Sequence, residues 1–173
     1  MKTRGFTLVE LLVTLAVGAI LLMIAIPGYA YLVKTNKLAA VTNTLVTSIQ
    51  LARSEAIKRG VRVTVCKSNS ALMAVPSCNP SAEWHHGWLV FVDEGTRGVV
   101  DLSDTLLWAQ DSAPDATNII SNNFDRYISY LPSGASQGSN GLSNGTIRVC
   151  VSGVQRKIII NTAGRPRLSS GYC

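Results

Sequence analysis

Residues 5–30, GFTLVELLVTLAVGAILLMIAIPGYA, decide the fold because they form one long apolar run that carries a single charge. Phe6 to Ile26 spans 21 residues. Such a segment is about 31 Å long as an α-helix, enough to cross the hydrocarbon core of a bilayer. The charge is Glu10, near the start of the run. Because a lone carboxylate in lipid is costly, a plain membrane anchor does not explain Glu10.

The residues around this run predict its orientation. Lys2 and Arg4 precede it, and basic residues that flank a membrane span tend to stay in the cytoplasm. No small-x-small cleavage site with a polar sequence behind it follows the run, so an ordinary secretory signal is not expected. We therefore expect the rest of the chain to lie outside the cytoplasm.

Residues 5–10, GFTLVE, resemble the class III signal of type IV pilins and of type II secretion pseudopilins. The resemblance implies that a prepilin peptidase cuts after Gly5 and that the new terminus, Phe6, is N-methylated. It also implies that Glu10 pairs with the N-terminal amine of a neighbouring subunit in the filament, so that assembly supplies the buried acid with a partner. Pro27 matches the family too, in which a proline at this place loosens the helix.

The same resemblance predicts location, partners and domain organisation. The prepilin is expected in the inner membrane with its head in the periplasm, and later in a pilus at the cell surface. Its expected protein partners are other pilin subunits and the prepilin peptidase. Four segments are expected: a leader at residues 1–5, a membrane and filament-core helix at 6–28, its amphipathic continuation at 29–60, and a β-rich head with a basic tail at 61–173.

Beyond Pro27, apolar residues continue at spacings of three and four, which predicts that one face of the same helix packs on the head. These residues are Leu38, Val41, Leu45, Ile49, Ala52 and Ala56. Gly60 suits a helix C-terminus. We therefore expect a single helix over roughly residues 6–59.

Alternating or β-branched runs after the helix predict strands. They occupy residues 61–66, 88–92, 128–131, 146–151 and 156–160. Segments 67–86 and 133–145 are expected to be loops, and the second, rich in glycine and serine, a mobile one. The predicted fold is α+β: a long N-terminal helix, transmembrane in its first half and amphipathic in its second, packs on an antiparallel β-sheet head.

The four cysteines all follow the apolar run, and an even number in an exported head predicts two disulfides. Three connectivities are open. We favour Cys66–Cys78, which closes a local loop, and Cys150–Cys173, which ties down the C-terminus. A zinc site is the alternative, but the spacings contain no CxxC and the histidines are adjacent, at residues 85–86.

Charge is distributed unevenly along the chain, whose formal net charge is +6. Residues 83–125 contain eight acids and one base, whereas residues 126–173 contain six bases and no acid. This asymmetry predicts one positive surface that suits a polyanion. The alternative is a basic edge that only keeps the protein soluble.

Two of those bases lie in the C-terminal stretch Gly164-Arg165-Pro166-Arg167. Pro166 favours an extended backbone at Arg165, and in an extended segment residues two apart point to one side. Arg165 and Arg167 then offer two planar guanidinium groups that suit phosphate. The alternative is a solvated tail.

Residues 87–93, GWLVFVD, and the run 145–167 resemble the head of the GspH/FimT family of minor pilins. Within that family, the GRxR pattern at Gly164, Arg165 and Arg167 is similar to the FimT branch, which binds DNA during natural transformation. The resemblance implies a minor type IV pilin that binds extracellular DNA without sequence preference and supports its uptake.

The residues expected to bind DNA are Gly164, Arg165, Arg167, Lys157, Arg156 and Arg148. Strand alternation puts Arg156 and Lys157 on opposite faces, so at most one of them shares the Arg165 side. The alternative function is a GspH-like pseudopilin of a type II secretion system, or a structural minor pilin that primes assembly. In that case the same arginines contact other pilins.

We expect no enzyme, no metal site and no cofactor. No motif places a nucleophile beside a base, and no glycine-rich loop suits a phosphate-bearing cofactor. Adjacent histidines at 85–86 point apart on an extended chain. The acidic stretch 93–98 lacks the alternating ligands of an EF-hand, and we interpret it as a turn between strands.

Overall fold

The structure is a computed structural model that describes residues 6–173. The predicted leader at residues 1–5, with the cleavage site at Gly5, lies outside the described residues. Phe6, the predicted mature N-terminus, is exposed.

The first element is the helix α1, Leu8–Arg59, which runs for 52 residues. Thr7 caps its start: the Glu10 N–H donates to the Thr7 hydroxyl at 3.3 Å, and the Thr7 N–H donates to the Glu10 carboxylate at 2.9 Å. This reciprocal pair is a capping box. Gly60, with φ 68°, ends the helix and donates its N–H to the Ala56 carbonyl. The predicted long helix is confirmed.

The two halves of α1 have different surroundings. Its N-terminal part is long and apolar enough to cross a membrane, with a mean hydropathy of 2.7 and no buried side chain in the most apolar window. α1 continues through Pro27, although a proline removes one backbone donor. From Leu38 onward the helix has a buried face, made of Leu38, Val41, Thr42, Leu45, Ser48, Ile49, Ala52 and Ala56.

Within residues 6–173 the strands form two antiparallel sheets. A five-stranded sheet has the order β3-β2-β1-β5-β6, with β1 Val63–Lys67, β2 Trp88–Val92, β3 Thr105–Gln110, β5 Tyr127–Tyr130 and β6 Ser136–Gly138. A four-stranded sheet has the order β4-β7-β8-β9, with β4 Thr117–Asn122, β7 Gly145–Val151, β8 Val154–Ile160 and β9 Pro166–Tyr172. The predicted α+β fold is therefore confirmed.

The core lies between α1 and the inner faces of both sheets. Leu45 and Ile49 of the helix are fully buried, together with Val65 of β1 and Ile147 of β7. Burying each large aliphatic side chain stabilises the fold by about 1.5–3 kcal/mol. Since the core begins at Leu38, the preceding apolar half of α1 contributes no buried residue to it.

Three segments differ from the sequence prediction. Residues 83–125 contain two strands, β3 and β4, that were not predicted. Residues 133–145, predicted to be a loop, include β6. The C-terminal segment, predicted to be a basic tail, is the strand β9, because its backbone pairs with β8 along the whole length.

The disulfides join Cys66 to Cys78 and Cys150 to Cys173, which is the favoured pairing. The first connects β1 to the following loop. The second joins β7 to the end of the chain just after β9, although β8 lies between those two strands. It therefore fastens the edge strand β9 to the interior of its sheet.

Candidate nucleic-acid interface

Three bases lie on the outer face of the four-stranded sheet. In β7 the inward residues Ile147 and Val149 are buried, and Arg148 between them is exposed. The register pairs Arg148 with Lys157 of β8, and Arg167 of β9 with the residue two positions beyond Lys157. Residues two apart on a strand share a face. We call Arg148, Lys157 and Arg167 the basic face.

The basic face has no acidic neighbour on its own sheet. β4, β7, β8 and β9 contain no aspartate or glutamate, but four basic residues. Among the described residues, ion pairs within 4.0 Å involve Lys58, Arg59 and Arg62, and none involves a residue of the basic face. The positive charge of this face is therefore not neutralised by a protein carboxylate there.

The motif residue Arg165 lies in the tight turn between β8 and β9. Asn161 holds this turn: its side-chain oxygen accepts the Arg165 N–H at 2.9 Å, and its carbonyl accepts the Gly164 N–H at 2.8 Å. The Asn161 N–H in turn donates to the Arg165 carbonyl at 3.3 Å. Arg165 and Arg167 are both exposed and line one shallow cavity beside Ile159. The structure thus brings the two motif arginines to one side.

Gly164 is required by the backbone conformation and the packing of the turn. It is buried with φ 74°, a left-handed conformation that favours glycine. A Cβ there would clash with the carbonyl oxygen of Gly134 and would come within 2.8 Å of the Tyr130 ring. Gly164 therefore allows the turn to pack against the loop that follows β5, whereas the arginines around it face solvent.

Two further residues hold this turn. Arg53 of α1 donates from Nε to the Gly134 carbonyl at 3.0 Å and from Nη2 to the Ala163 carbonyl at 3.3 Å. Tyr130 donates its hydroxyl to the Gly164 carbonyl at 3.2 Å. Burial raises the pKa of Tyr130 far above its usual range, although the Arg53 charge opposes this. The phenol therefore stays protonated and remains a donor.

Sequence reasoning missed both Arg53 and Tyr130. Arg53 is 81 and 110 residues from its two partners, so no short motif connects them. The one sequence signal for Arg53 is its position directly after Ala52, a buried residue of the predicted packing face.

Arg156 lies on the other face of the sheet from the basic face. It pairs with Val149 of β7, an inward residue. It lines a cavity of about 360 Å³ with Tyr31 and Thr35 of α1. Six residues are expected to bind DNA. Among those that lie on strands, Arg156 is therefore the one on the opposite face of the sheet.

The acids of residues 83–125 lie mainly in loops, where several organise the backbone. Asp93 is buried and accepts from the Thr64 hydroxyl at 2.5 Å and from the Gly98 N–H at 3.0 Å. Asp104 accepts the N–H groups of Glu94 and Asp101 at 2.9 and 2.8 Å. Within residues 6–173, no group of three or more potential metal-binding side chains is found.

His85 and His86 lie in a short 3-10 turn, Trp84–His86, that leads into β2. The turn brings their rings to 4.5 Å, so they do not point apart as on an extended chain. His86 Nδ1 accepts the Glu83 N–H at 3.1 Å. Partial burial, with a smaller contribution from His86, lowers the pKa of His85. In the described structure both histidines are part of this turn, and His86 contributes a hydrogen bond to it.

Comparisons with known proteins decide the family. The family model described as type II transport protein GspH matches residues 41–164, and the prokaryotic N-terminal methylation motif matches residues 1–26. The chain belongs to the GspH family. It is a type IV pilin-like protein with a class III signal. Membership implies prepilin processing and other pilin subunits as partners.

Solved structures agree with this family in fold. The type IV minor pilin FimU of Pseudomonas aeruginosa matches with a TM-score of 0.59 and 18% identity, over 79% of this chain and 90% of FimU. The minor pseudopilin EpsH of the Vibrio cholerae type 2 secretion system matches with a TM-score of 0.54 and 12% identity, over 78% and 97%. No curated protein sequence matches the chain. At these identities the likeness to both structures concerns architecture alone.

Proposed function

We propose that this GspH-family minor pilin binds extracellular DNA without sequence preference and supports DNA uptake in natural transformation. The observation that carries the proposal is the basic face: Arg148, Lys157 and Arg167 lie together on an exposed sheet surface whose four strands contain no acid. Arg165 extends this surface at the β8–β9 turn. Catalysis, metal and cofactor have no part in the proposal.

The chemistry of the basic face suits a phosphate backbone. A guanidinium presents planar N–H donors that match phosphate oxygens in pairs, and Arg165 and Arg167 supply two of these groups. Arg148 and Lys157 add charge on neighbouring strands. Contacts to phosphate carry no base information, so binding is expected to be independent of sequence and strongly dependent on salt.

The assembly roles of the N-terminus complete the proposal. Cleavage after Gly5 and methylation of Phe6 would release a subunit whose Glu10 pairs with the amine of a neighbour. In the isolated subunit the Glu10 carboxylate instead accepts from its own Thr7 at 2.9 Å. The prepilin head is proposed to lie in the periplasm, and the assembled subunit to present the basic face at the cell surface.

The test compares two arginines on opposite faces of the same sheet. Full-length protein in non-ionic detergent is titrated into labelled duplex DNA over a series of salt concentrations. Arg148→Gln removes one charge from the basic face, so the slope of log affinity against log salt should fall in magnitude by about 0.9. Arg156→Gln removes the same charge from the inner face and should leave the slope unchanged.

Equal effects of the two substitutions, or an absence of binding by the wild type at low salt, would contradict the proposal. If only Arg156→Gln lowered the slope, the DNA site would lie on the inner face of the sheet and not on the basic face.

The second candidate function is assembly within a type II secretion pseudopilus or a pilus-priming complex. It is favoured by an exposed apolar edge. Leu106 and Trp108 of the edge strand β3 are 42% and 47% exposed, and Trp108 lines an apolar groove with Leu51 of α1. If the wild type does not bind DNA, Trp108→Ser should disrupt cross-linking to other pilins in cells. Unchanged cross-linking would contradict this second function.

A further inference from the structure

A groove between α1 and the β8–β9 turn has the composition of an anion site. It has a volume of about 410 Å³ and is lined by Gln50, Arg53, Ser54, Ile57, Arg165 and Pro166. The four helical residues lie at the spacing i, i+3, i+4, i+7 and therefore share one helix face. The lining includes two guanidinium groups, one hydroxyl and one amide, but no carboxylate.

Arg53 keeps unused donors and an unneutralised charge in this groove. Of its five N–H donors, two bond the Gly134 and Ala163 carbonyls. Among the described residues, no carboxylate lies within 4.0 Å of Arg53. The nearest acid along the helix, Glu55, is engaged by Lys58 and Arg59.

Arg165 connects this groove to the basic face. It lines the groove together with Arg53, and it also lines the cavity on the outer face together with Arg167. A chain of phosphates that crosses Arg167 and Arg165 would therefore meet Arg53 next. The proximity of two like charges without an acid is unfavourable for the empty protein, and a bound phosphate would relieve it.

We propose that Arg53 and Arg165 form a phosphate subsite in the groove between α1 and the β8–β9 turn, which continues the DNA track from the sheet onto the helix. This inference rests on the proposed DNA binding. It assigns to α1, beyond its packing role, a direct contact with the ligand.

The experiment measures the salt dependence of duplex binding by full-length protein in non-ionic detergent. Arg53→Gln should lower the magnitude of the slope by about 0.9, as expected for one lost phosphate contact. Arg59→Gln, the same substitution on the far side of the helix, is the matched control and should leave the slope unchanged. An unchanged slope for Arg53→Gln would overturn the subsite. Because Arg53 also holds the turn that carries Arg165, a lower slope supports the subsite only if the Ser54→Glu variant below, which keeps Arg53, weakens binding as well.

A second variant keeps the test informative if Arg53→Gln does not fold. Ser54→Glu leaves both Arg53 hydrogen bonds in place and puts a negative charge into the groove, so duplex affinity at low salt should fall roughly tenfold. Asn36→Glu makes the same charge change at an exposed helix position far from the groove. If Ser54→Glu and Asn36→Glu bind alike while Arg148→Gln still lowers the slope, the subsite is wrong and the DNA proposal stands. If the wild type does not bind duplex DNA, both the subsite and the proposed DNA binding are wrong.

Discussion

At the residue scale, the GRPR motif contains two kinds of residue. Arg165 and Arg167 are exposed and free to meet a ligand. Gly164 is buried against the Gly134 loop, in a left-handed conformation, and its carbonyl accepts from the Tyr130 hydroxyl. The glycine therefore determines where the arginines are held, and its effect on DNA binding should act through the turn.

This assignment predicts a large loss of stability for Gly164→Ala. The added Cβ meets both a left-handed backbone and a clash with the Gly134 carbonyl, so unfolding free energy should fall by about 2–4 kcal/mol. Chemical denaturation of the oxidised protein measures it.

Gly153→Ala is the matched control for that substitution. Gly153 also has a positive φ, 91°, but nothing lies within 4 Å of its Cβ position. Its substitution should cost only the backbone strain, about 1 kcal/mol. Equal losses at the two glycines would mean that the packing of Gly164 against Gly134 does not matter.

The exposed arginines of the candidate site can be predicted from the sequence, whereas the residues that hold the β8–β9 turn in place cannot. The arginines stand out because an acid-free, basic C-terminal third is visible in the sequence. Arg53 and Tyr130 do not stand out, because their partners come together only when α1, β5 and the β8–β9 turn meet. Long-range contacts of this kind have no local pattern.

At the scale of elements, the strands that could be predicted are those buried in the sheets. β1, β2, β7 and β8 contain apolar or β-branched runs that pack on α1. β3 and β4 were missed because acidic loops surround them and their outward residues are exposed. β6 and β9 lie at sheet edges, where pairing with one neighbour is enough to form a strand that has little apolar signal of its own.

The position of β9 makes the Cys150–Cys173 disulfide important for the proposed DNA site. Replacing both cysteines with serine should lower stability by about 3 kcal/mol through loop entropy. It should also weaken DNA binding, because the edge strand that carries Arg167 is then held by β8 alone. Thermal unfolding and the duplex titration measure the two effects.

The other disulfide is the control. Replacing Cys66 and Cys78 should cost a similar free energy, about 3 kcal/mol, since that loop is also short. It closes a loop beside β1 in the other sheet, so DNA affinity of the folded protein should not change. Equal weakening of DNA binding by both pairs of substitutions would argue against a site on β9.

At the scale of the whole molecule, apolar surface and charge are separated. The first half of α1 exposes an apolar surface for membrane and filament, whereas the second half organises the head. Four basic residues lie on the acid-free four-stranded sheet. The acids of residues 83–125 lie mainly in loops, where Asp93, Asp101 and Asp104 of the β2–β3 loop accept hydrogen bonds from backbone N–H groups. A head with one positive surface suits a polyanion, and an anchored helix suits assembly with other pilins.

This positive surface is proposed to bind the DNA backbone through the motif arginines, Arg165 and Arg167. The most direct measurement is the salt slope of duplex binding for the wild type and for an Arg165→Gln, Arg167→Gln double variant. Loss of two phosphate contacts should reduce the magnitude of the slope by about 1.8. Lys34→Gln with Lys37→Gln removes the same charge from an exposed part of α1 and should not change it. Equal slopes for the wild type and both double variants would contradict the claim.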